Sequence, residues 1–315
     1  MESIFQSLQK KENYEKLAID RYRVIFSRKK EIRKYLDIKK VTMLNDDVSF
    51  MGVDTSFEML KNYLSKIEYV CIGIASWFNG EESFSDYDYE DKAIYEVETG
   101  EYESLLKGLS IFLEIEMIEK LSGKFKYAFM DRSIISLIAG INQSVVLSQR
   151  IYNQSKIAQR ILDTYPEIIK KLYKILKRSG VIMAVKRSSR EELKENLSQY
   201  FGQIVSNDYE IAFVILDEGE YIELPITQKY DFNLPKVELR DELFSLIKTG
   251  HIVYMKGMNN KIFKLETFDK QFPDEIVYTQ TCTNSNELLI LQECDTKARN
   301  YLKLFKEKSL IGGYK

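Results

Sequence analysis

The spacing of apolar positions changes several times along the chain. From residue 1 to about 40, Leu8, Tyr14, Leu17, Tyr22 and Ile25 recur at helical intervals among Lys, Arg and Glu, which predicts a helical N-terminal extension. Beyond it the period shortens. Val48-Ser-Phe-Met-Gly-Val53 runs into Asp54-Thr55-Ser56, and the long apolar run Tyr69 to Phe78 follows, so two neighbouring strands are expected. Asn79 to Asp91 is acidic and rich in Ser and Tyr and reads as an exposed loop. Residues 101 to 122 are strongly helical in pattern, and Phe125 to Met130 is a strand that delivers Asp131. A long helix is expected over about 151 to 178, broken by Gly180, and then a strand Val181 to Val185 that leads into Lys186-Arg187-Ser188-Ser189. A helix over 190 to 200 follows. Strand-like runs come next at Ile211 to Leu216 and Tyr221 to Ile226, then a helix over 237 to 248. His251 to Met255 and Lys261 to Phe268 predict a hairpin, and 286 to about 308 a final helix.

Strands and helices interleaved in this way define a mixed α/β fold, with antiparallel neighbours early and helix-separated strands later. No linker, repeat or low-complexity tract divides the chain. One compact domain over 41–315 with a helical extension over 1–40 is the expected organisation. Hydrophobic residues at 44% and charged residues at 30% support a sizeable core and exclude wholesale disorder. The polar segment Met1 to Lys11 lacks a secretory core, and no apolar run reaches the roughly 20 residues of a membrane span. Cys71, Cys282 and Cys294 have neither disulfide-framework nor zinc spacing. A cytoplasmic protein with no membrane partner is therefore expected, with Cys71 packed in the core.

Charge adds little in bulk, since the net value is −2. Two basic groups stand out: Arg28, Lys29, Lys30, Arg33 and Lys34, and Lys170, Lys171, Lys174, Lys177 and Arg178. Each is either a phosphate-tracking surface or a solvated helix face. The single histidine, His251, excludes sites built on several histidines and reads as structural.

Three carboxylates are set apart by position. Asp54 and Asp131 each follow an apolar strand, and each is followed two residues on by serine, in Asp54-Thr-Ser56 and Asp131-Arg-Ser133. Strand ends hold side chains firmly, and hard cations prefer carboxylate oxygens, so two such aspartates on adjacent strands can share a divalent ion. Glu114 falls amid an apolar helix face: Ile111, Met117, Ile118 and Leu121 lie within about 60° of it at 100° per residue, with Glu116, Glu119 and Lys120 opposite. A carboxylate there needs a cation or a basic partner. Asp54, Glu114 and Asp131 together are a candidate metal site, able in principle to activate water against a phosphodiester. The alternative for Glu114 is a buried pair with Arg or Lys. Lys186, at a strand end, is placed to neutralise a phosphate. Ser188 and Ser189 suit caps of the helix that follows.

The order of these motifs resembles the NurA family of nucleases: strand with Asp-x-Ser, helical Glu 17 residues before a second strand with Asp-x-Ser, then strand with Lys-Arg-Ser. The similarity runs from about residue 48 to about 300. It implies an RNase H-like mixed sheet flanked by helices and a manganese- or magnesium-dependent deoxyribonuclease. The implied activities are single-strand endonuclease and 5′ to 3′ exonuclease, in DNA end resection and repair. The implied partners are DNA, a HerA-type hexameric ATPase and a second copy of the chain as a homodimer. By position, Asp54, Glu114 and Asp131 would hold metal, Lys186 would lie near the phosphate, and Asp295, in Leu291-Gln-Glu-Cys-Asp295, would take the C-terminal acidic position. The other reading of Asp295 is a solvent-facing helix residue.

The chain departs from the family pattern at Thr55 and Arg132, which stand where glycine is usual. Ile134 stands where leucine is usual, and the Tyr-Pro of the C-terminal segment is missing. Bulk at 55 and 132 is expected to narrow the approach to the site. A non-enzymatic subunit, keeping the fold and docking on such an ATPase without turnover, is the competing reading. A nucleotide-binding enzyme is a third, weakened because Ser122-Gly123-Lys124 has Ile118 where a phosphate loop has its first glycine.

Overall fold

A computed structural model describes residues 11, 16, 23–42, 49–63, 66–78, 88–98, 103–178, 180–185, 191–202, 204, 206–226 and 234–311. Its spine is a nine-stranded sheet. The strands are β1 (Ile38–Lys40), β2 (Phe50–Tyr63), β3 (Lys66–Phe78), β4 (Asp88–Glu98), β5 (Tyr127–Met130), β6 (Val181–Ala184), β7 (Glu220–Pro225), β8 (His251–Lys256) and β9 (Ile262–Thr267). They lie in the order β1-β7-β8-β9-β6-β5-β2-β3-β4. β2 pairs antiparallel with β3, and β3 with β4. β5 runs parallel to both β2 and β6. An antiparallel trio joined to parallel strands through its first member, β2, is the RNase H-like arrangement expected. The β7-β8-β9 meander extends it beyond β6.

Helices cover both faces. On one lie α2 (Glu103–Leu121), α3 (Ile134–Ile151) and α4 (Lys156–Lys177), which close a core with Met51, Val53, Cys71, Ala128 and Met130. On the other, α9 (Leu289–Ile311) packs across β2 and β3, burying Cys294, Ala298 and Leu302 against Val70, Ile72 and Ile74. Burial alternates along β3, even positions facing α9 and odd positions facing α2, as a strand buried on both faces requires. The backbone of β2 comes close to α9: a Cβ at Gly52 would lie 2.8 Å from the Ile290 side chain. α3 is apolar and long enough to cross a membrane by composition, but Ile134, Leu137, Ile138 and Ile141 lie in the core.

Several elements differ from the sequence reading. Residues 23–35 are largely helical with a break at Arg28, through α1 (Lys29–Ile32) and a 3-10 turn, but the chain turns into β1 before residue 40 and joins the sheet edge. The start of the expected extension lies mostly outside the described residues. Asp88 to Asp91 are not loop but the start of β4, whose exposed Tyr89 and Tyr95 show why its pattern is weakly apolar: it is an edge strand. Ile211 to Leu216 is not a strand; Asp208–Ile215 forms a helix, α6, because Asn207 and Glu210 make a reciprocal capping box at its start. The expected helix over 151 to 178 is α4, begun by a Ser155 cap; α3 before it is a further helix outside the sequence expectation, although Ile134, Leu137, Ile138, Ile141 and Val145 recur at helical spacing. The hairpin β8-β9 and the final helix are where the pattern put them.

Candidate active site

Parallel pairing fixes the aspartates. Val53 is opposite Met130 in the β2-β5 ladder, so Asp54 and Asp131, each one residue further, lie side by side where β5 stops; β2 itself continues through Asp54 to Tyr63 in pairing with β3, so Asp54 is not the strand end that the sequence predicts. Met51, Val53, Ala128 and Met130 face the α2 core, and Phe50 and Phe129 face the other side. Within β2, alternation sends Asp54 toward the α9 side and Thr55 toward α2; Asp131 and Arg132 lie in the turn after β5, and Arg132 reaches Glu114 in α2. An open cleft of about 390 Å³ lies at this point, lined by Asp54, Thr55, Phe57, Asp131, Arg132 and Asp295 among others. Asp295 comes from α9, and its carboxylate is forked by Arg299 one turn on, with Nε to Oδ1 at 3.0 Å and Nη2 to Oδ2 at 2.7 Å. The Asp54 Oδ1 accepts from the Thr55 backbone N–H at 2.7 Å.

Glu114 sits on the other side. It is fully buried in α2. Arg132 Nε donates to its Oε2 at 2.5 Å, and the Thr55 hydroxyl donates to the same oxygen at 3.3 Å. Arg132 Nη2 also donates to Thr55 Oγ1 at 3.1 Å and to Ser110 Oγ at 3.3 Å. Oε1 of Glu114 is buried with no hydrogen-bond partner among the described residues. Burial works against the charged guanidinium of Arg132, but Glu114, helped by Asp54 and Asp131, outweighs it and the pKa lies above its ordinary value. Thr55 and Arg132 therefore do more than narrow an approach: they bond to each other and to Glu114.

Among the described residues, no group of three or more His, Cys, Asp or Glu side chains stands close enough to hold a metal ion. The structure brings Asp54, Asp131 and Asp295 to one cleft and sets Glu114 behind Arg132. As a set of three carboxylate ligands, Asp54, Glu114 and Asp131 do not fit a metal in this arrangement. The donor chemistry of Asp54 and Asp131 alone suits a hard divalent cation. Lys186, with Ser188 and Ser189, lies outside the described residues. The helix they were expected to cap, α5 (Glu192–Phe201), has Glu191 at its N-cap position with no side-chain cap bond.

Two features escaped the sequence reading. Glu266, buried in β9, accepts the backbone N–H of Ile134 at 2.6 Å, which ties the first turn of α3, and with it the Asp131-Arg132-Ser133 turn, to the sheet. The available signal is that Lys264 and Glu266 alternate with Phe263 and Leu265 in a strand pattern, two charges on a strand that is buried throughout. Second, Lys264 donates to Glu192 at 2.6 Å, and Tyr254 donates to Glu192 at 3.0 Å and to Asp208. This buried cluster holds α5 and α6 against β8 and β9. Burial raises the Asp208 carboxyl, partly offset by the Tyr254 hydrogen bond and by the backbone donors of Leu193 and Lys194.

The basic groups are substantially engaged. Arg33 binds Glu220, Lys29 binds Asp217, and the Arg28 guanidinium lies over Phe201. Lys170 pairs with Glu238, Lys171 with Glu116, and Arg178 donates to Ser122. His251 opens β8, half-buried, with Glu223 at 3.8 Å.

The sheet order, with an antiparallel trio joined through β2 to parallel strands, defines an α/β protein of RNase H-like architecture. Solved NurA structures match it over nearly the whole chain. The NurA nuclease from Sulfolobus solfataricus superposes with a TM-score of 0.65 at 12% identity, covering 98% of this chain and 97% of that one. A NurA structure with manganese gives 0.59 at 12% identity over 98% of both chains, and a further NurA structure gives 0.57 at 12% over 92% and 94%. The chain has the NurA fold from end to end of the match. No protein-family model matches the sequence, and no curated protein sequence does.

Proposed function

We propose that this protein is a NurA-like phosphodiester hydrolase acting on DNA, with its reaction centre in the cleft beside Asp54 in β2 and Asp131 just after β5. The observation that supports this reading best is the parallel register Val53 to Met130, with Asp54, itself largely buried, and Asp131 lining one cleft. The fold shared with nucleases over nearly the full chain supports it. Asp54 and Asp131 are the residues proposed to hold a divalent ion, manganese or magnesium. Such an ion supplies Lewis acidity and a lowered pKa for bound water. Asp295 borders the same cleft and is proposed to act there once Arg299 releases it to phosphate. Arg299 is largely exposed, so an arriving phosphate can compete for its guanidinium. Lys186 is proposed to lie near the phosphate. The resemblance in motif order further suggests DNA end processing in the cytoplasm with a HerA-type ATPase, as a homodimer.

One observation favours the second reading, an inactive NurA-like subunit: the Arg132 guanidinium sits on Glu114. The two are separated by incubating purified protein with linear single-stranded DNA and manganese. Cutting that disappears in Asp54→Asn supports the hydrolase. Intact DNA, with retained binding to the ATPase, supports the subunit.

A further inference from the structure

We propose that the guanidinium of Arg132 takes the place of a metal ion at Glu114, so that Glu114 serves this chain as the partner of an arginine and not as a metal ligand. The inference rests on the reading of the cleft as a metal-dependent hydrolase site and adds to it that the site holds fewer ions than its carboxylates suggest.

The argument begins with the cost of Glu114. A fully buried carboxylate needs a positive charge at bonding distance. In this chain that charge is covalently attached: Arg132 Nε stands 2.5 Å from Oε2. The guanidinium is then fixed by what surrounds it, since its Nη2 donates to both Thr55 Oγ1 and Ser110 Oγ. Thr55 completes the ring through its own bond to Glu114. Arginine stays protonated in proteins, so the charge at this position is permanent. A divalent ion seeking Glu114 would have to displace a held guanidinium and would be repelled by it.

Position in the chain sets up the arrangement. In β2, Val53 and Thr55 face α2, where Thr55 bonds to Glu114, and Asp54 between them faces the opposite way. Arg132, in the turn that follows β5, reaches Glu114 from the neighbouring strand's end.

The test counts manganese ions per chain by EPR titration of the full-length protein, in wild type, Arg132→Ala, Glu114→Gln and the double variant. The expected result is one more ion in Arg132→Ala than in wild type, lost again when Glu114→Gln is added, with Glu114→Gln alone equal to wild type. An equal count in Arg132→Ala and wild type overturns the proposal. So does a lower count in Glu114→Gln than in wild type, a comparison that stands even if Arg132→Ala does not fold. A wild type with no ion and an Arg132→Ala with one supports the proposal while removing the metal-dependent reading of the native cleft. DNA cutting by wild type with an unchanged count in Arg132→Ala does the reverse.

Discussion

Arg132 and Glu114 form a buried ion pair at 2.5 Å that joins the turn after β5 to the middle of α2. Removing one member leaves the other charged and buried, which typically costs about 3–5 kcal/mol. Arg132→Met is expected to lower the unfolding free energy by that order in urea titrations. Glu114→Leu added to it should recover most of the loss, because a pair of apolar residues of similar size needs no compensation. A double variant as weak as the single one would show that the pair is not the cause.

For the aspartates the expectation is opposite in kind. Asp54→Asn and Asp131→Asn keep size and hydrogen-bonding capacity and lose charge at the floor of the cleft. Each is expected to reduce manganese-dependent cutting of single-stranded DNA by about 100-fold or more, the upper end of what weaker supporting groups contribute. Stability should fall by less than about 1 kcal/mol. Gel assays and urea midpoints on the same preparations check both halves, and a large stability loss with proportionate activity loss would point to a structural role instead.

Glu220 provides a pH signature at the other end of the molecule. The side-chain hydrogen bond from Arg33 lowers its pKa from 4.5, with burial opposing. Because the folded value lies below the unfolded one, the stabilisation is fully present above about pH 4.5 and is lost as pH falls through the lowered value. Arg33→Gln should cost about 1–2 kcal/mol at pH 7 and flatten the acid limb of stability. Urea midpoints from pH 3 to 7 in the two proteins measure it.

The thiols differ sharply in environment. Burial pushes both Cys71 and Cys294 up to about 12, whereas Cys282 is exposed. Ellman's reagent at pH 8 is expected to label one thiol rapidly in the folded protein, and Cys282→Ser should abolish that phase. Two fast thiols would mean that the α9 seat on β2 opens in solution.

Much of this structure is legible in residue order, and the reasons are local. Asp131 could be read because an apolar run followed by Asp fixes both an element and its boundary; for Asp54 the same pattern marks the strand but not its end, since β2 continues through Asp54 to Tyr63 in pairing with β3. The buried position of Glu114 could be read because helical geometry is rigid. Its partner could not be singled out, because the choice between a metal ion and a basic side chain turns on which side of the sheet Arg132 faces. Arg132 lies in the turn after β5, where strand parity no longer fixes the side a residue faces. α6 was mistaken for a strand because Ile211 to Leu216 is apolar on every side and its helical identity resides in Asn207 and Glu210, just outside the run. Glu266 was passed over for a related reason: its role is set by a backbone N–H 132 positions away.

The seating of α9 against β2 also bears on when the cleft comes into being. Cys294 Sγ donates to the Gly52 carbonyl, a contact spanning 242 positions, two residues from Asp54 and next to Asp295. Closing so long a loop is slow compared with forming hairpins or helices. During synthesis β2 and β5 leave the ribosome well before α9, so the nascent chain carries both aspartates while the wall bearing Asp295 is still missing. Assembly of the cleft thus waits for the synthesis of α9, and a protease cut ahead of Leu289 is expected to remove the wall bearing Asp295 without touching the strands that hold Asp54 and Asp131.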